Sequence, residues 1–574
     1  MDINISDLFR AVASQYPQKP ALVIPQTRGL SPSDLSITFN DLAKDIDRLV
    51  SGLSSLGIGI DSRVILFIPP SFEFPAVTFA LFRLGAIPIF IDPGMGINNL
   101  ISAAISAHPT AVIAVPKAFA YLPFKRLLWK NFKIKISIGM TPVPGVMTLN
   151  QVRNLQNPSQ VSLGHGRLAT ARFATVADEN DKLAAILFTS GGTGPAKGVP
   201  YTHKIFIAQT FLLRDMFSLT ANDKDFPCFP LFSLFTLSLG LTVIVPDLDP
   251  SRPATANPVT ILRQILRHQP NFASGSPSIW EKVADYALSN QLTLPSIKAL
   301  AMFGAPVSND IHYKFKRILC NGSTYTPYGA TEFLPLSNIS GTEIIKYTAE
   351  LTSKGRGTCV GFPVPGIEVK IINISDQPIE RLADTTQLEV NMIGEIIATG
   401  PVITRSYDGL PAQTALAKIH QRDILWHRMG DLGYLDVQGR LWFCGRKSHT
   451  VKFNHNNEEV ILFSDCCEAI FNQHEEVKKC ALIALATSTD GKKSITPAIV
   501  IERIDRKILK GRDRIRFERE LLALGMANPH TRMIHTFFYC NKFPVDIRHN
   551  IKIDRLLLAK MASLGNLAGV VPLA

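Results

Sequence analysis

Leu187-Phe188-Thr189-Ser190-Gly191-Gly192-Thr193-Gly194-Pro195-Ala196-Lys197-Gly198-Val199 is the stretch that decides how this chain is read. The run that leads into it, Leu183 to Phe188, is short and wholly apolar, as a strand covered on both faces of a parallel sheet must be. Gly191, Gly192, Gly194 and Gly198 permit a tight turn that brings backbone N–H groups close to an anion. Thr189, Ser190 and Thr193 add hydroxyl donors, and Lys197 adds charge. These residues directly after an apolar strand read as a phosphate cradle rather than a plain flexible turn. The loop of the common nucleotide hydrolases is excluded, because it needs Gly-Lys followed by Ser or Thr, whereas Lys197 precedes Gly198 and Val199 follows.

At 574 residues the chain is too long for one core and long enough for two or three. Hydrophobic residues make up 46% and charged residues 19%, which places it among globular rather than disordered chains. The net charge of +13 suits an anionic partner, but no dense Lys/Arg block is present and the balance reads as an ordinary basic surface. Lys507 to Arg519 is interrupted by Asp513 and Glu518 and reads as a solvated helix face, and no nucleic-acid motif is visible. The eight cysteines are scattered, without a Cys-x-x-Cys, as expected for reduced thiols in a cytoplasmic protein. Asp2 and Asp7 stand where a secretory signal would be basic or apolar, so no export is expected. Phe226 to Pro246 is uncharged over a length that would span a bilayer. Pro227, Pro230, Gly240 and Pro246 punctuate it and argue for a buried soluble segment, leaving at most peripheral membrane contact.

Along the chain, Asp7 to Tyr16 and Thr38 to Leu56 read as amphipathic helices, with Thr38 as a cap. Strand and helix then alternate: strands at Arg63 to Pro69, Ile87 to Asp92 and Ala111 to Val115, helices at Pro75 to Leu84 and Leu100 to Ala107. Short connectors between them argue for parallel sheets covered by helices. Residues 117 to 180 carry no legible pattern. A helix from His203 through Met216 follows the glycine loop; His203 is assigned no chemistry. Further on, Asp465 is a candidate cap for a helix through Gln473, and Cys480 to Ala486 and Ala498 to Ile501 read as strands.

Four further motifs follow in order: Thr326-Pro327-Tyr328-Gly329-Ala330-Thr331-Glu332, then Gly394 to Gly400, then His427-Arg428-Met429-Gly430-Asp431, then Gly439 to His449. Phe543 to Asp554 closes the series. Together with the glycine loop this order resembles the AMP-forming adenylation enzymes: acyl-CoA synthetases, luciferases and peptide-synthetase adenylation domains. Gly192, where a hydroxyl is usual, and Ala196, where proline is usual, depart from the family's loop. The resemblance covers nearly the whole chain. It implies an α/β fold with a large N-terminal domain of helix-covered β-sheets at 1–446 and a small hinged α/β domain at 447–574. It also implies ATP and Mg²⁺ as cofactors. By the same resemblance Thr189, Ser190, Gly191, Gly192, Thr193, Gly194 and Lys197 cradle the phosphates, and Gly304, Ala305 and Pro306 meet the adenine. Tyr328 stacks on the base beside Gly329 and Ala330, Thr331 helps hold a phosphate and Glu332 binds Mg²⁺. Such roles suit a flat aromatic face and a hard carboxylate oxygen. Asp431 accepts the ribose hydroxyls, Arg446 reaches ribose or phosphate, and Lys552 binds the carboxylate and α-phosphate. Lys552, Lys197 and Glu332 are thus the expected catalytic groups. Phe232, Ser233, Ser276 and Pro277 are expected in the substrate pocket, with the hinge at Lys447 and Ser448.

The segment after the hinge, Val451 to Glu459, lacks the glycine through which thioester-forming members admit a pantetheine arm. Local sequences such as Pro246 to Pro250, His427 to Asp431, Leu441 to Lys447 and Phe543 to Asn550 instead resemble the β-lactone synthetases of bacterial olefin biosynthesis. That likeness implies adenylation of a long-chain 2-alkyl-3-hydroxy fatty acid, then attack by its own 3-hydroxyl to give a β-lactone and AMP. A condensing enzyme, a reductase and an α/β-hydrolase are the implied pathway partners. A fatty acyl-CoA ligase, an acyl-AMP ligase loading a carrier protein, and a catalytically silent lipid- or nucleotide-binding homologue remain the alternatives.

Overall fold

The computed structural model describes residues 4–26, 34–121, 126–141, 143–155, 181–189, 196–489, 492–505, 511–545 and 553–570. Ser190, Gly191, Gly192, Thr193 and Gly194 of the glycine loop, and Lys552, lie outside the described residues.

Two seven-stranded sheets share one plan. The first runs Met147–Thr148, Ile134–Ser137, Ala111–Ala114, Arg63–Phe67, Ile87–Phe90, Leu183–Thr189, Lys197–Thr202. All neighbours are parallel except the last pair. The second runs Ser323–Tyr325, Ala299–Met302, Phe272–Gly275, Lys224–Pro227, Thr242–Ile244, Pro20–Ile24, Leu35–Thr38, again parallel up to an antiparallel edge. Apolar central strands need cover on both faces, and helices supply it. The helix Glu73–Arg83 is buried nearly all round, as its apolar run from Phe74 to Phe82 requires. Phe9 stacks on Phe79 with centroids 4.7 Å apart, and Phe82 meets Phe206 at 5.6 Å. Each such ring buried contributes about 1.5–3 kcal/mol. A third sheet of eight strands lies between Tyr328 and Arg446. After it come the hairpin Val451–His455 with Glu458–Leu462 and a four-stranded sheet, Val477–Thr489, Lys492–Arg503, Thr536–Tyr539 and Ala568–Val570.

Several expectations change. Leu183–Thr189 is parallel to Ile87–Phe90 on one side but antiparallel to Lys197–Thr202 on the other, so the glycine loop joins a hairpin. Within 117 to 180, where no pattern was legible, lie helices Pro116–Tyr121, Arg126–Asn131 and Leu149–Arg153 and strands Ile134–Ser137 and Met147–Thr148. Lys130, Lys133 and Lys135 break their apolar periodicity, and packing rather than propensity holds them. Asp465 is no cap: Phe463 takes the N-cap position of helix Ser464–Phe471, while Asp465 sits in the first turn and accepts from Ser464 Oγ at 3.2 Å. The 226 to 246 segment is strand, helix Phe232–Ser238 and strand, and no helix among the described residues is long and apolar enough to cross a membrane. The hairpin Val451–His455 with Glu458–Leu462 turns without glycine because Asn456 and Asn457 take φ of 53° and 68°, the left-handed region that asparagine tolerates.

His203 and His312 are both buried, and burial pushes each down to about 4 from the usual histidine range. The unfolded chain takes up these protons near pH 6.5 and the folded chain only near pH 4, so stability falls as pH drops through that window. His312→Gln, which can still meet Thr324 Oγ1 where His312 Nδ1 now sits at 2.7 Å, removes one of these titrations. Between pH 7 and 4.5 the wild type should lose about 2 kcal/mol more than this variant, measured by urea unfolding.

Candidate active site

A cleft of about 2880 Å³ opens where the three large sheets meet the segment after Arg446. Ligand pockets usually enclose about 300–1,000 Å³, so this one has room for a nucleotide and a second, bulky group. Of the residues singled out from sequence, Thr189, Lys197, Phe232, Gly304, Ala305, Pro306, Tyr328, Gly329, Ala330, Thr331, Glu332, Asp431, Arg446, Lys447 and Ser448 line it. Ser233, Ser276 and Pro277 do not. Ser233 Oγ donates to Pro230 O at 2.6 Å within its own turn, Ser276 Oγ is paired with Ser278 Oγ at 3.0 Å, and Pro277 is buried at a helix start.

One end of the cleft is built on strand register. Asp431, on the long strand Ile424–Leu435, stands opposite Arg446 on Leu441–Arg446, and Arg446 Nε meets Asp431 Oδ1 at 3.0 Å. From the third sheet's edge, Tyr328 OH donates to Asp431 Oδ2 at 2.6 Å. Burial and the Asp431 carboxylate both push the Tyr328 phenol upward, and Asp431 raises Arg446 further. The Asp431 side chain is only 3% exposed whereas that of Arg446 is 46% exposed, so the acid is the fixed element. Each carboxylate oxygen carries two lone pairs, so a fixed carboxylate can accept more than one hydrogen bond. Tyr328 starts the short strand Tyr328–Ala330, which packs so closely on its neighbour at Gly329 that a Cβ there would come within 2.6 Å of Phe333 O.

The middle of the cleft centres on Glu332. Its Oε1 accepts from Tyr407 OH at 2.7 Å, and its carbonyl accepts from Thr404 Oγ1 at 2.9 Å and Thr404 N at 3.2 Å. Lys197 Nζ sits 4.7 Å from the Tyr407 ring centroid. Asp408 N donates to Gly198 O at 2.8 Å, and Arg63 grips the Asp408 carboxylate through two 2.9 Å bonds. Tyr201 OH donates to Thr331 O. Among the described residues no cluster of three or more His, Cys, Asp or Glu could cage a metal. Glu332, with one oxygen taken by Tyr407, fits Mg²⁺, which is commonly held by one or two carboxylates together with substrate phosphates and water. Sequence reading noted Tyr407 only by its order and missed Thr404, Asp408 and Arg63, which are far apart in the chain and carry no motif.

The far wall is aromatic: Phe232 lies 4.6 Å and Phe229 5.3 Å from Phe303, centroid to centroid, with Phe235 beside Phe232 at 5.6 Å. At the near end Lys447 Nζ donates to Ser375 O at 2.7 Å and lies 3.4 Å from Glu395 Oε1. Glu395 is also held by Arg428, Nε to Oε1 at 3.1 Å and Nη2 to Oε2 at 2.7 Å. Further along the chain Arg555 grips Glu468 at 2.7 and 2.8 Å and reaches His449 Nδ1 at 3.3 Å. Burial, then Arg555 and Arg446, press His449 down to about 3.

The family model described as AMP-binding enzyme matches residues 9–408. The chain belongs to the AMP-binding enzyme family. As a member it is an AMP-forming ligase. It is 36% identical over 570 residues to an olefin beta-lactone synthetase of Xanthomonas campestris pv. campestris, covering 98% of this chain and 97% of that relative. It is 35% identical to the olefin beta-lactone synthetase of Stenotrophomonas maltophilia, covering 98% of both. A long-chain-fatty-acid–CoA ligase of Bacillus subtilis is 22% identical over 85% of this chain and 84% of its own. The AMP-binding fold is matched by the amide bond synthetase McbA from Marinactinospora thermotolerans, with a TM-score of 0.74 and 18% identity over 97% of this chain and 99% of that one. The o-succinylbenzoate CoA synthetase of Bacillus subtilis, solved with ATP and magnesium, matches with a TM-score of 0.70 and 17% identity over 96% of this chain and 98% of that one.

Glu395 and Arg428 are 1% and 2% exposed as side chains, so removing the anion strands two cations at this ligase's near end. Glu395→Gln should cost about 3–5 kcal/mol of stability in urea unfolding. Lys447→Met, with its partly exposed amine, should cost far less.

Proposed function

We propose that this chain converts a long-chain 2-alkyl-3-hydroxy fatty acid and ATP into a β-lactone, AMP and pyrophosphate. The observation that carries the reading is the near full-length similarity to proteins named olefin beta-lactone synthetase. A phenylalanine wall opposite the Tyr328–Asp431–Arg446 group supports it, since one cleft then holds an alkyl chain and a nucleotide together. In the first step a carboxylate oxygen attacks the α-phosphorus, and the bond to the β-phosphate breaks. In the second the 3-hydroxyl oxygen attacks the acyl carbon, AMP leaves and the hydroxyl proton is lost.

In this reading Tyr328, with Gly304, Ala305 and Pro306, faces the adenine, and Asp431 accepts the ribose hydroxyls. Lys197, Arg446 and Lys552 bear the phosphate charge together with the loop Thr189 to Gly194. When bound, Mg²⁺ supplies further neutralisation at the phosphates, held by Glu332. Catalysis rests on positioning and charge, with no protein nucleophile. The large part spans 1–446 and the small part 447–574, pivoting at Lys447 and Ser448. The hairpin at Val451–Leu462 turns on asparagine side chains rather than glycine, which disfavours entry of a pantetheine thiol along that path and favours the internal hydroxyl.

Mass spectrometry of products from Mg·ATP with such a hydroxy acid, with and without CoA, tests the proposal. A product equal to the acid less one water, formed without CoA and matched by AMP, is expected; thioester formed only with CoA would replace this reading by a fatty acyl-CoA ligase. Asp431→Asn keeps the shape but weakens a charge-assisted hydrogen bond. It should lower kcat/KM for ATP by roughly 10–100-fold in ATP–pyrophosphate exchange, with little change in KM for the acid.

A further inference from the structure

Lys418 is the first residue of the strand Lys418–Gln421, directly after the helix Pro411–Ala417. It is 5% exposed and does not line the cleft. An ammonium taken from water without compensation costs several kcal/mol, so a buried lysine calls for a reason. Among the described residues its hydrogen bonds run to one partner, Thr404: to the carbonyl oxygen and, at 3.5 Å, to Oγ1. Thr404 is fully buried, and its N–H and hydroxyl both donate to the carbonyl of Glu332. The backbone on either side is tied again by the bridge between Phe333 and Ile403.

Glu332 is therefore held at both ends. Tyr407 OH fixes the carboxylate, and Thr404 fixes the backbone. Residues 404 to 418 form one clasp: the chain leaves Thr404, supplies Tyr407, passes through the helix Pro411–Ala417 and returns with Lys418 to close on Thr404. Thr404 lies outside the strands, so its carbonyl has no ladder partner in the third sheet. An apolar side chain at 418 would leave that buried acceptor unsatisfied and release the clasp. Burial pushes the Lys418 amine down to about 7 while the Glu332 carboxylate draws it upward, so the two groups sense each other without a hydrogen bond between them. His427, the cross-strand partner of Lys418, is held neutral by burial, with Lys418 adding to the effect.

We propose that Lys418 is a positioning residue for Glu332, a buried tie that sets the Thr404–Glu332 junction and hence the place of the metal-binding carboxylate. The inference rests on reading Glu332 as the Mg²⁺ ligand. Groups that orient a metal ligand from behind typically change metal affinity by about 10–100-fold when removed. Lys418→Met keeps length and loses the donor; Lys418→Arg keeps a donor. In the full-length protein, Mn²⁺ affinity in the presence of ATP, followed by electron paramagnetic resonance, and the half-saturating Mg²⁺ for ATP–pyrophosphate exchange are measured for these variants and for Glu332→Gln. Lys418→Met should weaken both metal constants about tenfold with KM for the acid within about twofold, and Lys418→Arg should recover most of the loss. If Glu332→Gln shifts the metal constants and Lys418→Met leaves them unchanged, the role given to Lys418 is wrong. If Glu332→Gln itself shifts neither, the reading of Glu332 falls and takes this inference with it. Should Lys418→Met fail to fold, Thr404→Val, which deletes the intervening hydroxyl at nearly constant shape, must weaken metal binding in the same direction, and unchanged constants there overturn the proposal.

Discussion

The near end of the cleft depends on one buried carboxylate, Glu395. It lies on the strand Gly394–Thr399 and accepts from Arg428, three residues before Asp431, and lies within ion-pair distance of Lys447, one residue after Arg446. The Asp431–Arg446 pair thus stands between two cations pinned to the same anion. In a low-dielectric setting such a pair is strong only if its remaining hydrogen-bonding capacity is also met, and the carbonyls of Ser375 and Gln377 meet it for Arg428. Register does the rest. Antiparallel pairing puts Asp431 opposite Arg446 with no loop freedom, so this carboxylate is held by sheet geometry rather than by side-chain choice.

Glu332 is managed differently. It sits just past a short strand at the sheet edge, where the ladder no longer restrains it, and segments remote in sequence hold it: Thr404 and Tyr407 from one loop, with Lys197 over the Tyr407 ring. The same loop reaches the glycine-loop hairpin through Asp408 and the carbonyl of Gly198. Glu332 and the hairpin that carries Lys197 therefore share one support, and a shift in residues 404 to 408 would move both. A precise arrangement of charge, set before substrate arrives, is what electrostatic catalysis requires.

Just before Arg446, still within the strand, Gly445 takes a φ of 132°, and its missing Cβ lets Ser464 Oγ approach to within 2.4 Å of where that Cβ would stand. Lys447 belongs mechanically to the large sheet through Glu395, whereas His449 faces Arg555 of the last helix. Lys447, Ser448, His449 and Arg555 all line the same cleft.

Local chemistry sufficed to read the alternating strands and helices of the first sheets and the helix cap at Thr38, and family resemblance through motif order singled out Tyr328, Glu332 and Asp431, which all line the cleft. Each of these is a short pattern whose meaning follows from periodicity, from residue type or from its order along the chain. Other features were decided only in three dimensions. Ser233 and Ser276 turn away from the cleft because nearby acceptors and hydroxyls capture them, the elements between 116 and 153 exist because packing overrides weak amphipathic signals, and Asp465 sits in the first turn of its helix rather than capping it. Lys418 and Thr404 are the clearest case. A lysine after a helix and a threonine in a loop carry no pattern of their own, and their role arises solely because folding brings positions 332, 404 and 418 into one buried chain of hydrogen bonds.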